Sequence, residues 1–390
     1  MSKLKTNTIQ HTGGSADNIT LDNSQNVTAE GNLTVDGNLT VSGTSTISGY
    51  HPTSSRNNRN LIINGAFNVA QRGTSSTSAG YQTVDRFTTS MAGTDEACTF
   101  AQVDVTAGTD PWNAGFRKAF KVTNGNQTSG AGAADDVSIS QNIESQDLSN
   151  SGWDYTSSSS YITLSFWAKS SVAQTFYTGF RIYGDDQREY CFSYALSANT
   201  WTKVTHSIPG GSGHTLLNTN ALGAFIQWPL WWGTDYTSSG RAVDTWQIKN
   251  NAANYPDNTS TWYTTNDATF EITGVQLEVG SVATDFEHRS YGDEIARCQR
   301  YYWNSGGTMG GSGQSYSGNT TDGLRWWVSF PTKMRTSPTV TLSGGSDGSS
   351  NASFQVISSN SSGALMNLKS TDSSTSVWWM GATLYTVAEL

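Results

Sequence analysis

Charge is what this chain has least of: Asp, Glu, Lys and Arg make up 14% of its 390 residues, against about a quarter in an ordinary soluble protein. The little there is leans acidic, net −9, with no Lys/Arg cluster, so nucleic acid is not expected as a partner. No apolar run approaches the ~20 residues a membrane helix needs, and membrane insertion is not expected either. The opening MSKLKTNTIQ carries two lysines but no apolar core behind them, so no cleaved signal is expected and synthesis is placed in the cytosol. Cysteine is scarce too. Cys98, Cys191 and Cys298 are too few and too widely spaced for a disulfide framework or a metal knuckle, and are expected as small buried residues.

The usual marks of catalysis are also thin. The five histidines (His11, His51, His206, His214, His288) are scattered, with no HExxH and no Ser–His–Asp signature. Asp135–Asp136 and Asp185–Asp186 are adjacent, so on a strand they face opposite sides and suit turns better. Glycoside hydrolysis needs two carboxylates about 5–10 Å apart, and nothing marks such a pair. No enzyme activity and no cofactor are expected. A structural Ca²⁺ on Asp or Glu and carbonyls would suit a β-sandwich, but no EF-hand-like spacing supports it.

What the chain has instead is glycine (39), tryptophan (14) and tyrosine (16), with Ser, Thr and Asn throughout. In GNLTVDGNLTVSGTSTISG, Gly31, Gly37, Gly43 and Gly49 recur every sixth residue. Leu33, Val35, Leu39, Val41 and Ile47 alternate with Thr34, Thr40 and Thr46, the pattern of an extended strand with one apolar face. Three such hexapeptides cannot bury their own apolar face, so the partners must come from other chains. A flexible Gly/Ser/Thr linker is the plainer reading, but a linker gains nothing from aliphatics held in phase. Residues 29–59 are therefore expected to be an intertwined, trimeric β stalk with its linker, preceded over residues 1–28 by a polar arm without a core of its own.

From residue 60 to 289 the pattern is many short strands between Gly/Asn/Ser turns. They include NLIINGAFNVAQ, TVDRFTTSM, VSISQNIE, YITLSFWAKS and ATFEITGVQLEVG. In YITLSFWAKS, Ile162, Leu164, Phe166 and Ala168 alternate with Thr163, Ser165, Trp167 and Lys169. The expectation is all-β: a jelly-roll β-sandwich over 60–289, a short hinge helix over 290–302, and a small C-terminal β-sandwich over 303–390. In the helix, Asp293 and Glu294 come early and Arg297 and Arg300 late, which suits the helix dipole.

Several phrases resemble a recurrent module of tailed-bacteriophage structural proteins. They are NLIINGAFNVAQRG, YQTVDRF, VSISQNIE, ITLSFWAKS, TWTKVTHSIPG, VQLEVGSVATDFEHRSYGDEIARCQRYY and FPTKMRTSPTVTL, in the module's order, across residues 60–345. The stalk resembles the segment preceding such modules. The resemblance implies a homotrimeric tail-fibre or tail-tip protein of the virion, with a carbohydrate-binding-module-like jelly roll. Residues 1–28 would grip other virion proteins, and the sandwiches would meet a host-surface glycan. It supplies no catalytic residue. A capsid decoration or head-fibre protein, and a glycan-cleaving tailspike, are the alternatives; a tailspike usually carries a long single-chain β-helix, and this sequence has no such repeat.

The densest aromatic stretch runs from Phe225 to Trp246. Trp228, Trp231, Trp232 and Tyr236 with Asp235, and Tyr255 and Trp262 further on, combine flat rings with polar groups, as a sugar site requires. Pro229 and Gly233 suggest that the stretch is a loop. The competing reading is that these rings fill the core or a subunit contact. The pairs Trp326/Trp327 and Trp378/Trp379 are expected to split between a buried and an outward face.

Overall fold

The computed structural model describes residues 58–306, 309–314, 324–347, 352–370 and 376–390, with three short strands nearer the start. These are β1 (Thr8–Ile9), β2 (Ile19–Leu21) and β3 (Val27–Ala29), an antiparallel sheet in the order β1-β2-β3. Met1–Pro52 and Thr53–Leu390 are separate compact units. The hexapeptide positions Leu33, Val35, Leu39, Val41 and Ile47 lie outside the described residues.

The larger unit is built on two six-stranded sheets. Its strands are β4 (Ser75–Ser76), β5 (Phe87–Ala92), β6 (Thr99–Asp104), β7 (Lys118–Thr123), β8 (Asp136–Glu144), β9 (Tyr161–Ser170), β10 (Gln174–Ile182), β11 (Arg188–Leu196), β12 (Thr202–Pro209), β13 (Leu222–Trp232), β14 (Trp246–Ile248) and β15 (Thr269–Val279). The first sheet runs β14-β11-β10-β13-β8-β5 and the second β12-β9-β15-β7-β6-β4. The pairings are antiparallel, so each strand carries an inner and an outer row of side chains. Ile162, Leu164, Phe166 and Ala168 of β9 are buried in the core, opposite Ile139, Phe180, Phe192 and Ile226 of the first sheet. All-β sandwich architecture follows from this pairing and burial.

Two stretches depart from expectation. NLIINGAFNVAQ forms no strand, because Asn64 and Phe67 take φ of 63° and 55°, which no strand accommodates. The Asn64 amide donates to the carbonyls of Val69 (2.8 Å) and Asp85 (2.9 Å), satisfying backbone groups that a ladder would otherwise satisfy. Conversely, FIQWPLWW is strand. Pro229 is tolerated because β10 pairs with β13 only from Ala224 to Gln227, so no ladder bond is required of it on that side. A bulge between Pro229 and Trp231 absorbs the irregularity on the β8 side.

Among the described residues four short helices intervene: α1 (Asp110–Asn113), α2 (Ser145–Ser149), α3 (Thr261–Thr264) and α4 (Tyr291–Gln299). Ser290 caps α4 by accepting from the Asp293 amide at 3.1 Å. Past α4, β16 (Tyr302–Asn304), β17 (Met309–Gln314) and β19 (Thr339–Asp347) flank β22 (Ser376–Val387), and β18 (Leu324–Ser329), β21 (Gly363–Ser370) and β20 (Ala352–Asn360) form a second small sheet. Phe330, Met334, Met366 and Leu384 are buried between them. Trp326 stacks on Phe354 at 5.4 Å in this core while Trp327 stays exposed, splitting that pair as alternation requires. Trp378 and Trp379 have side chains outside the described residues.

The two sandwiches meet at a buried ionic joint. Arg300 donates twice to Glu144, at 2.8 Å each, and the Tyr301 hydroxyl donates to the same carboxylate at 2.6 Å. Burial opposes the charge on Glu144, yet these partners hold its carboxyl below the ordinary range. Arg86, also buried, lies 3.4 Å over the Tyr301 ring and pairs with Glu389, which takes Arg72 as well at 3.0 Å. Arg335 ties Asn220 to Ala388 and Glu389 through their carbonyls.

Candidate functional site

The seven residues singled out in the sequence separate by burial. Trp228, Tyr255 and Trp262 are 0% exposed and Trp231 is 6% exposed, so none of the four offers a ring to a ligand. Trp228 meets Phe166 edge-on at 5.7 Å in the central core, and Trp231 stacks on Tyr263 at 5.5 Å. The Tyr255 hydroxyl donates to Gln227 at 3.0 Å, on the outer side of the first sheet beneath the segment that follows β13. Their assignment to a glycan site is corrected: they are packing residues, as the competing reading held. Trp232, Asp235 and Tyr236 do reach the surface, with Trp232 edge-on to Tyr236 at 5.6 Å and Asp235 exposed.

The same segment buries a charge. Glu189 takes Arg181 at 2.9 Å and Arg241 at 3.3 Å on its two oxygens. Burial pushes its carboxyl upward and the two guanidiniums pull it back. Paired on both oxygens, it holds a loop to the sheet.

A better-formed concavity lies on the outer face of the second sheet. It is a cleft of about 440 Å³, within the usual size range of ligand pockets. Its floor is β9 and β15. Because Leu164 and Phe166 point inward, Ser165 and Trp167 must point out, and Lys203 of β12 stands directly opposite Trp167 in the register. β15 bulges between Thr273 and Gln276. Gly274 sits in that bulge at φ +64°, and a Cβ there would fall 2.5 Å from the Phe116 ring, so glycine keeps the floor low.

Two loops make the walls. One is the turn after α1, where Gly115 at φ +97° lets His288 approach and Phe116 turns inward. The other, Gly280–His288, is anchored from beneath by the fully buried Glu278. That carboxylate accepts from the Thr284 amide at 2.8 Å, the Thr284 hydroxyl at 2.6 Å and the Gln276 amide at 2.8 Å. Gln276 in turn accepts from the Glu287 amide at 2.8 Å. The walls meet ring to ring: Phe116 and Phe286 lie edge-on at 4.8 Å, and His288 lies 4.9 Å from Phe286 while its Nε2 reaches the Ala114 carbonyl at 3.0 Å. Asp285 and Lys203 stand exposed at the rim. Trp112 and Trp201 extend the same apolar cluster beyond the cleft.

Flat rings beside an ammonium, a carboxylate and a hydroxyl can stack on the C–H face of a sugar and bond its hydroxyls. The groups suit binding; among the described residues no cluster of His, Cys, Asp and Glu could hold a metal. The signal for this site was present in YITLSFWAKS, where a tryptophan occupies the outward, polar row of a strand. The loops that complete the cleft had no comparable mark.

No protein-family model matches the chain, and no curated protein matches it. Among solved structures it is similar to the N-terminal cellulose-binding domain of a Cellulomonas fimi β-1,4-glucanase (16% identity, 55% of this chain and 99% of that one, TM-score 0.26). It is also similar to the family 11 carbohydrate-binding module of a Clostridium thermocellum cellulosomal cellulase (12%, 55% and 98%, 0.26) and to a xylan-binding domain from Paenibacillus barcinonensis (8%, 54% and 94%, 0.24). Likenesses this distant say nothing of what the present chain binds. Its fold stands on the sheets above, and its site on its own side chains.

Proposed function

We propose that this chain is a non-catalytic, glycan-binding fibre or tail-tip protein of a bacteriophage virion, and that the cleft at Trp167 is where it meets a host-surface sugar. The observation that carries the binding reading is the outward tryptophan beside Lys203 and Asp285, in a cleft walled by Phe116, Phe286 and His288. The virion reading is supported by the phrases between residues 60 and 345 and by the hexapeptide stalk. In this reading residues 1–28 hold the virion, residues 29–59 join three copies, the jelly roll over 60–289 carries the site, and the remainder to 390 stiffens it. Three weak sites on one body raise overall binding through effective concentration.

Two measurements test it. Trp167→Ala should weaken binding to host cells or their extracted polysaccharide by at least about tenfold, as loss of a central aromatic contact does, with folding intact; unchanged binding refutes the site. Light scattering should give about three times 42.0 kDa for the whole chain and a smaller particle for residues 60–390. A monomeric whole chain refutes the stalk.

A further inference from the structure

This acidic chain sets several of its few lysines on the outer face of the second sheet. Of nine lysines in the sequence, the register puts Lys121 and Lys169 on either side of Glu271, and Lys203 opposite Trp167. Lys169 pairs with Glu271 at 2.9 Å and lies 5.0 Å from the Trp201 ring. The Arg117 guanidinium lies 4.3 Å over Trp112 and donates only to backbone carbonyls. Lys118 and Asp104 satisfy one another at 2.6 Å. Glu278, beneath the loop, is paired with Arg59 at 3.5 Å, which leaves Lys121, Lys169, Lys203 and Arg117 against Glu271, Asp285 and, on α1, Asp110. The face is net positive in a chain of net −9, and its cations alternate with Trp112, Trp167 and Trp201.

Resting on the glycan reading above, we infer that the ligand is an acidic oligosaccharide: a chain bearing carboxylate sugars, with a ring on Trp167, a carboxylate on Lys203, and its continuation toward Trp201. Two features favour this over a neutral glycan. Among the described residues the Lys203 ammonium has no ion-pair partner, so a neutral ligand would answer it only with hydroxyl hydrogen bonds, whereas a carboxylate forms the stronger charge-assisted bond there. The chain as a whole, at net −9, disfavours an anionic ligand, whereas the cations gathered on this face attract one. Single-stranded nucleic acid also pairs basic groups with stacking rings, but its uniform phosphate charge meets Asp285 at the cleft and the net −9 of the whole.

The test uses the full chain against an array of acidic and neutral bacterial polysaccharides with an oligodeoxythymidylate beside them. The best-bound acidic polysaccharide is then compared with the same polymer after its carboxylates are reduced to alcohols. Carboxyl reduction and Lys203→Gln should each weaken binding about tenfold, the size of one charge-assisted contact. Together they should weaken it no more than either alone, because both remove one contact. Raising salt from about 50 to 300 mM should weaken the acidic ligand several-fold and leave the reduced one unmoved. If neutral polysaccharides bind as well, or Lys203→Gln is silent on the acidic ligand, the acidic assignment falls and the glycan reading stands. If no polysaccharide binds, or only the oligodeoxythymidylate does, both fall.

Discussion

Replacing Trp228 with alanine separates a tryptophan that folds this protein from the one proposed to touch its ligand. Trp228 is fully buried, edge-on to Phe166 at 5.7 Å and 6.3 Å from Phe87. Truncating such a side chain costs about 3–5 kcal/mol, as lost transfer energy plus the cavity left behind. The site lies where the sheets are held from both sides, so it collapses poorly and the loss should be about 4 kcal/mol. With a urea dependence of about 3 kcal/mol per molar for a unit of this size, the unfolding midpoint should fall by about 1.3 M. Trp167→Ala exposes no cavity and should move the midpoint by less than about 0.3 M. The assay is urea unfolding followed by tryptophan fluorescence, with polysaccharide binding measured on the same samples below the transition. Where Trp228→Ala remains folded its binding should be unimpaired, and Trp167→Ala should show the reverse. A Trp228→Ala protein of native stability that had lost its ligand would refute the division of the tryptophans made here.

Glu389→Gln strips Arg86 of its charged partner in a buried site. The joint should lose about 3–5 kcal/mol, read as faster hydrogen exchange in β22 and new protease cleavage near Thr386, with the jelly-roll core unchanged. His214 is buried against Trp246 at 4.2 Å, and burial, with Arg188 adding to it, pushes its pKa down to about 4. A histidine depressed in the folded state contributes stability that is whole above its unfolded pKa of about 6.5 and is lost as pH falls toward 4. Protection factors over residues 210–217, corrected for the intrinsic pH dependence of amide exchange, should therefore fall between pH 6.5 and 4, and His214→Phe should remove much of that dependence; His206, also held low by burial against the pull of Asp244, accounts for the rest.

Legibility followed the range of the interactions. Alternation alone placed Ile162, Leu164, Phe166 and Ala168 inside and Trp167 outside, because the two rows of a strand are fixed by backbone geometry. It failed at NLIINGAFNVAQ, where two residues take left-handed backbone that the apolar pattern does not reveal. At FIQWPLWW the pattern itself held, since ALGAFIQWPL reads as a strand and is one; what misled was the loop suggested by Pro229 and Gly233. Proline is excluded only from a strand bonded on both sides, and whether β10 still pairs with β13 at Pro229 depends on strand ends that no local pattern records. The joint is similar: Arg86 and Glu389 are 303 residues apart, and nothing near either announces the other.

The misplaced site has the same origin. A dense run of tryptophans invites a binding reading, but density in sequence measures how much apolar surface a strand brings, and a strand bringing that much is drawn to the core. Alternation then spares some of the rings: Trp228 and Trp231 are taken inside, while Trp232 beside them is left half-exposed. The ring that lines the cleft comes from a phrase with a single tryptophan. There the inward row was already filled by Ile162, Leu164, Phe166 and Ala168, leaving Trp167 on the face where Lys203 stands. In a sandwich of this kind, a lone tryptophan on the polar row of a strand is a better candidate for contact with a ligand than a cluster, because the core between the sheets has no claim on it: Trp167 packs instead on the outer cluster of Val105, Phe116 and Ala119.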